Sequence, residues 1–140
     1  MKIICSASKG VDEQLDTAQL RRMLKFIHKF GGLTSQVVLG HWEGKREIAL
    51  EVQGFVDCED MLRFSEWVIQ AFNQDCTYME YMGRAYLVHP VATGGVQSEF
   101  IGTESPRTDP KAVKSPVNYT EYLDGTIIYT TGSKASNLLQ

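Results

Sequence analysis

The chain has 140 residues, a length suited to one domain, with 43% hydrophobic and 22% charged residues and a formal net charge of -3. That balance is ordinary for a globular protein and excludes disordered, collagen-like and coiled-coil classes. A sequence pI near 5.6 argues against a nucleic-acid binder and against adhesion to an anionic membrane. No stretch approaches the roughly eighteen apolar residues of a membrane helix, and the MKIICSASKG start is too short an apolar run for a signal segment. Three cysteines (Cys5, Cys58, Cys76), odd in number and without a Cys-x-x-Cys pair, argue against a disulfide framework and a thiolate metal site. These features imply a cytoplasmic protein with no metal, no nucleic-acid partner and no membrane contact.

Residues 2–7 form a short apolar run that reads as a first strand. A helix follows from Asp16 or Thr17, with Leu20, Met23, Leu24, Ile27 and Phe30 on one face and Gly31-Gly32 as its stop. Arg21, Arg22, Lys25 and Lys29 fall on the opposite, solvated face. Residues 33–40 and 45–53 read as two strands separated by the Gly40-His41-Trp42-Glu43-Gly44 turn. In the second of them Ile48, Leu50 and Val52 alternate with Glu47, Ala49 and Glu51.

Asp57 to Phe72 predicts an amphipathic helix capped by Asp57, with Asp60 in the capping-box position. Residues 74–81 and 84–88 pair as strands turning at Met82-Gly83. Residues 90–117 hold all four prolines and read as a long irregular loop. Residues 118–131 predict a hairpin turning at Asp124-Gly125, and 132–140 a flexible tail.

The order β-α-β-β-α-β implies an α+β, ferredoxin-like domain over residues 1–131: an antiparallel sheet, two helices on one face, and an appended C-terminal β-hairpin. The opposite face, showing Glu47, Ala49 and Glu51, would then be uncovered and would need solvent, a partner subunit or a ligand.

Nucleophile elbows, Walker loops, dinucleotide fingerprints and helical His pairs are all missing from the sequence. Two spots concentrate polar chemistry: Gly40–Leu50, with Trp42, Arg46 and Glu47, and Phe72–Cys76, with Asn73, Gln74 and Asp75. Read alone, Glu47 beside Arg46 is a solvated strand charge, and Asn73 to Asp75 are helix-ending turn residues.

The arrangement of these short motifs resembles the phage-encoded S-adenosylmethionine lyases, a family earlier described as S-adenosylmethionine hydrolases. The likeness rests on the apolar strand closing in Ser6-Ala7, the helix running into Gly31-Gly32 and Arg46-Glu47 opening a strand. It continues in Gln74-Asp75-Cys76 after the second helix and in Ala85, Leu87 and Val88 before a Gly-containing loop. It covers roughly residues 4–95. The resemblance implies a homotrimer of ferredoxin-like subunits binding S-adenosylmethionine at each interface, with no cofactor.

It further implies cleavage to 5′-methylthioadenosine and homoserine lactone, which would deprive host restriction–modification enzymes of their methyl donor. Glu47 would be the principal catalytic carboxylate and Gln74 a polar contact, with Ser6 and Ala7 beside the ligand and Arg46 adjoining. Trp42 or Tyr78 could stack on adenine, or simply pack. Two alternatives stand beside this reading: a non-catalytic binding or inhibitor module docking through its open sheet face, and a hydrolase in which Glu47 activates water.

Overall fold

A computed structural model describes residues 1–6, 13–114, 116 and 118–132. Its elements in chain order are β1 (Lys2–Ser6), α1 (Glu13–His28), β2 (Thr34–Trp42), β3 (Lys45–Gln53), α2 (Cys58–Phe72), β4 (Thr77–Tyr81) and β5 (Arg84–Pro90). They continue with β6 (Val96–Glu104), a 3-10 turn at Pro110–Ala112, β7 (Tyr119–Glu121) and β8 (Ile127–Thr131).

Local chemistry accounts for most of these elements. The Asp57 side chain accepts the Asp60 N–H at 2.8 Å, opening α2, and Asn73 closes it in the left-handed region (φ 51°). Between them Met61, Phe64, Ser65, Val68, Ile69 and Phe72 are buried at helical spacing. On α1, Met23 and Ile27 are buried while Arg21, Arg22, Lys25 and Lys29 are exposed. Two-residue turns with paired positive φ join β2 to β3 (Glu43 51°, Gly44 77°) and β4 to β5 (Met82 53°, Gly83 79°), the geometry that suits right-twisted hairpins. The first turn is thus narrower than the five-residue segment read from the sequence, and His41 and Trp42 belong to β2.

The sheet departs from the expected ferredoxin-like arrangement. Instead of an open sheet, eight antiparallel strands close in the order β1-β3-β2-β7-β8-β6-β5-β4, with β4 returning to β1. Two findings overturn the open form. First, residues 90–117 are not one irregular loop. Gly94 and Gly95 (φ 106° and 78°) make a hairpin turn, with Val91 N–H on Gly95 O and Gly94 N–H on Val91 O, and β6 pairs along β5. Second, the C-terminal hairpin is no appendage. Its β7 pairs with β2 (Leu39↔Glu121, Gly40↔Thr120, His41↔Tyr119) and its β8 with β6 (Thr103↔Thr131, Glu104↔Thr130). At that seam a Cβ on residue 102 would lie 2.2 Å from Thr131 O, so Gly102 serves close strand packing rather than loop freedom.

Closure gives the sheet an inside and an outside. Outward-facing Ile3, Cys5, Leu50, Val52, Met79 and Val88 pack against Met23 and Ile27 of α1 and Met61, Phe64, Val68 and Phe72 of α2. Ile4, Val38, Ala49 and Tyr122 form a second, smaller core with Tyr78 and Ile128. These belong to the alternate set and fill the barrel. The face expected to lie open is therefore the barrel lining. Ala7 and residues 133–140, expected beside a ligand and as a tail respectively, lie outside the described residues.

Candidate functional site at the ends of the barrel

The inward alternation places Ser6 at the end of β1, opposite Ala49, and Glu47 two residues further along β3, opposite Gly40 of β2. Trp42 continues the same alternation on β2 and is half-buried, as is Glu47. Cys76 precedes β4, in the same alternation as Tyr78. Its thiol is pushed up first by burial, then by the charges of Asp75, Glu47 and Glu43. The charges of three carboxylates thus reach one thiol at this end of the barrel.

Gln74 is there too, but its Nε2 donates to Phe72 O at 3.1 Å and serves the end of α2. Arg46 falls on the outward alternation and is exposed. Tyr78 lies deeper. Its hydroxyl donates to Glu104 at 2.6 Å and lies 2.8 Å from Thr130 Oγ1, an arrangement that fixes the ring inside the barrel. Burial and the Glu104 charge push its ionisation upward.

Of the predicted residues, the structure brings Ser6, Glu47, Trp42 and Gln74 to one end, sets Tyr78 in the interior and turns Arg46 away. His41 takes no part, since its Nε2 lies 2.9 Å from Glu121 and its ring stacks on Tyr119 at 4.2 Å, clasping β2 to β7.

Sequence reasoning missed the opposite end. Four residues along β3 from Glu47, about 13 Å away, Glu51 is 2% exposed, and the facing Lys2 is 6% exposed. Lys2 Nζ lies 3.0 Å from Glu104 and 3.8 Å from Glu51. Glu51 accepts from the Tyr122 hydroxyl, from Gln36 at 3.0 Å and from Gln53 at 2.7 Å. Burial, followed by the bond to Glu51, raises the Tyr122 phenol. A cavity of about 290 Å³ opens over this network, lined among others by Gln36, Glu51, Gln53, Glu80, Arg107 and Tyr122. The available signal was the inward alternation of Lys2 with Ile4 and of Glu51 with Ala49, which points to the interior only once the barrel is known to close.

The fold and its acidic end define a closed antiparallel β-barrel flanked by two helices, with no helix among the described residues long and apolar enough to cross a membrane. Compared with known proteins, the chain matches no family model and no curated protein.

The thiol reports on the site independently of any reaction. Removing the Glu47 charge takes away one of the forces holding Cys76 protonated, so Glu47→Gln is expected to lower the pH at which Cys76 is alkylated. Iodoacetamide labelling followed by peptide mapping across pH measures this. Cys5, fully buried and pushed up to about 12, should stay unlabelled in the native protein.

Proposed function

We propose that the chain is an S-adenosylmethionine lyase, acting in the cytoplasm as a homotrimer that lowers the methyl donor available to restriction–modification enzymes. The observation that carries this reading is the gathering of Ser6, Glu47, Trp42 and the Gln74–Cys76 stretch at one barrel end, from three separate parts of the chain. Glu43, Glu47 and Asp75 outnumber the neighbouring Lys45 and Arg46, which leaves that end a net negative charge suited to a sulfonium cation.

The substrate carries its own nucleophile, a carboxylate, and its own leaving group. Attack of a carboxylate oxygen on Cγ forms the lactone C–O bond as the C–S bond breaks. The electron pair goes to sulfur, and 5′-methylthioadenosine departs as a neutral thioether. Anion and cation cancel in the transition state, so a drier, preorganised site favours the step over water. Glu47 holds the α-ammonium and bends the aminoacyl chain so that the carboxylate faces Cγ. Positioning of this kind supplies up to roughly 7–11 kcal/mol. Trp42 offers a face to adenine, and Gln74 and Ser6 flank the ligand.

The open sheet face lines the barrel, so a non-catalytic binding or inhibitor module would have to dock through another surface. Incubation with S-adenosylmethionine in oxygen-18 water separates the remaining outcomes by mass spectrometry. The expected result is 5′-methylthioadenosine with unlabelled homoserine lactone appearing first. Labelled homoserine from the earliest times, with no preceding lactone, would assign water as the attacking group. Absence of 5′-methylthioadenosine would overturn both enzymatic readings.

A further inference from the structure

We propose that the outer surface of the α1–α2 helix pair is a self-complementary interface. Its occupant is the same surface of a second copy of this chain, related by a two-fold axis parallel to the helices. The inference does not rest on the proposed reaction and uses neither end of the barrel.

The two helices lie side by side and antiparallel, in a register fixed by their rings. Phe30, just past α1, stacks on Trp67 at 5.1 Å, and Phe26 meets Phe72 edge-on at 5.5 Å. The Arg22 guanidinium lies over Phe72 at 5.5 Å. Their outward sides differ in charge. Over residues 17–29 Arg21, Arg22, Lys25 and Lys29 are exposed and no acid occurs, Glu13 and Asp16 coming earlier in the helix. Among the described residues none of these four cations pairs with a carboxylate. Arg21, Lys25 and Lys29 follow at four-residue intervals, where like charges repel along a helix, so the stripe calls for a counter-charge from outside.

The outer side of α2 supplies that charge. It carries Glu59, Asp60 and Glu66 against the single cation Arg63. Arg63 serves Glu59 at 3.6 Å and Asp60 at 3.5 Å, whereas Glu66 meets only the neutral Gln70 amide, at 3.5 Å. Between the two stripes the Trp67 ring is 41% exposed, the apolar centre of the face. Charge decides how two such faces meet. A two-fold axis across the helices would set α1 on α1, cation against cation. An axis parallel to them sets α1 of each copy on α2 of the other at equal height. The ring register then brings Glu66 of one copy to Lys25 and Lys29 of the other, with the Phe30–Trp67 stacks along the axis. A nucleic acid would satisfy α1 and be repelled by α2.

Sedimentation velocity of the intact protein at low salt should show an assembly with an even number of chains, weakened by added sodium chloride. Lys25→Glu combined with Lys29→Glu, or Glu66→Lys alone, should each weaken association roughly a hundredfold, because every reversal acts twice across the axis. An equimolar mixture of the two variants should associate again to about the wild-type extent, since both contacts then join opposite charges. Three outcomes would each overturn the inference: no even-numbered assembly of the wild type, association indifferent to the reversals, or a mixture that stays dissociated. The first two would leave the face to a partner other than this chain.

Discussion

Replacing Glu47 by Gln is expected to lower turnover of S-adenosylmethionine on the order of a hundredfold to a thousandfold while leaving the barrel intact. Glutamine keeps the size and one acceptor of the side chain and removes only its charge. The residue sits half-buried near the end of β3, where its backbone pairs with Gly40 and the ladder does not depend on the carboxylate. In the proposed reaction that charge clamps the substrate ammonium. Its loss frees the aminoacyl chain to sample extended conformers in which the carboxylate cannot reach Cγ. The effect should fall mainly on kcat, with a smaller rise in KM, because adenine contacts persist. Steady-state measurement of 5′-methylthioadenosine release checks it, with circular dichroism as the folding control. Wild-type turnover in Glu47→Gln would remove this carboxylate from the mechanism.

The largest effect on stability is expected from Lys2→Met. Lys2 is the cation set between Glu51 and Glu104, and all three are nearly inaccessible to water. Removing it leaves two carboxylates buried together without a counter-charge, a change that typically costs about 3–5 kcal/mol. The midpoint of urea unfolding should fall accordingly, with the slope unchanged if unfolding remains two-state. Adding Glu104→Gln to Lys2→Met should recover part of the loss. It removes one of the stranded charges and keeps an acceptor for the Tyr78 hydroxyl. An additive, further loss in the double variant would show that Lys2 and Glu104 do not act as a pair.

What could be read from the sequence was local. The Asp57 cap, the apolar stripe of α2, the Met82-Gly83 turn and the Asp124-Gly125 hairpin each depend on residues within a few positions of one another. Closure of the barrel depends on pairings such as Leu39 with Glu121, and no local pattern announces a partner eighty residues away. The prolines after residue 90 also concealed β6, whose Val96–Glu104 run alternates weakly and whose Gly102 resembles loop composition until the neighbouring strand is in place.

The site divides in the same way. Glu47 stood out by its place in a short motif. Glu51 was seen on the correct side of β3, but its meaning changed when that side became an interior. Lys2 opens a strand that reads locally only as an apolar run, and nothing near it in sequence marks its partners Glu51 and Glu104.

The two strands that complete the barrel are the last two of the eight to be synthesised. Until they arrive, β2 and β6, each nine residues long, lack the antiparallel pairs that Leu39–His41 and Thr103–Glu104 make in the finished barrel. Strand edges of that length recruit other chains. The nascent protein therefore passes through an interval in which self-association competes with its own closure. That competition should sharpen with expression level, since closure is unimolecular and recruitment is not. Yield of the intact protein should accordingly respond more to the rate of synthesis than to the stability of the finished barrel.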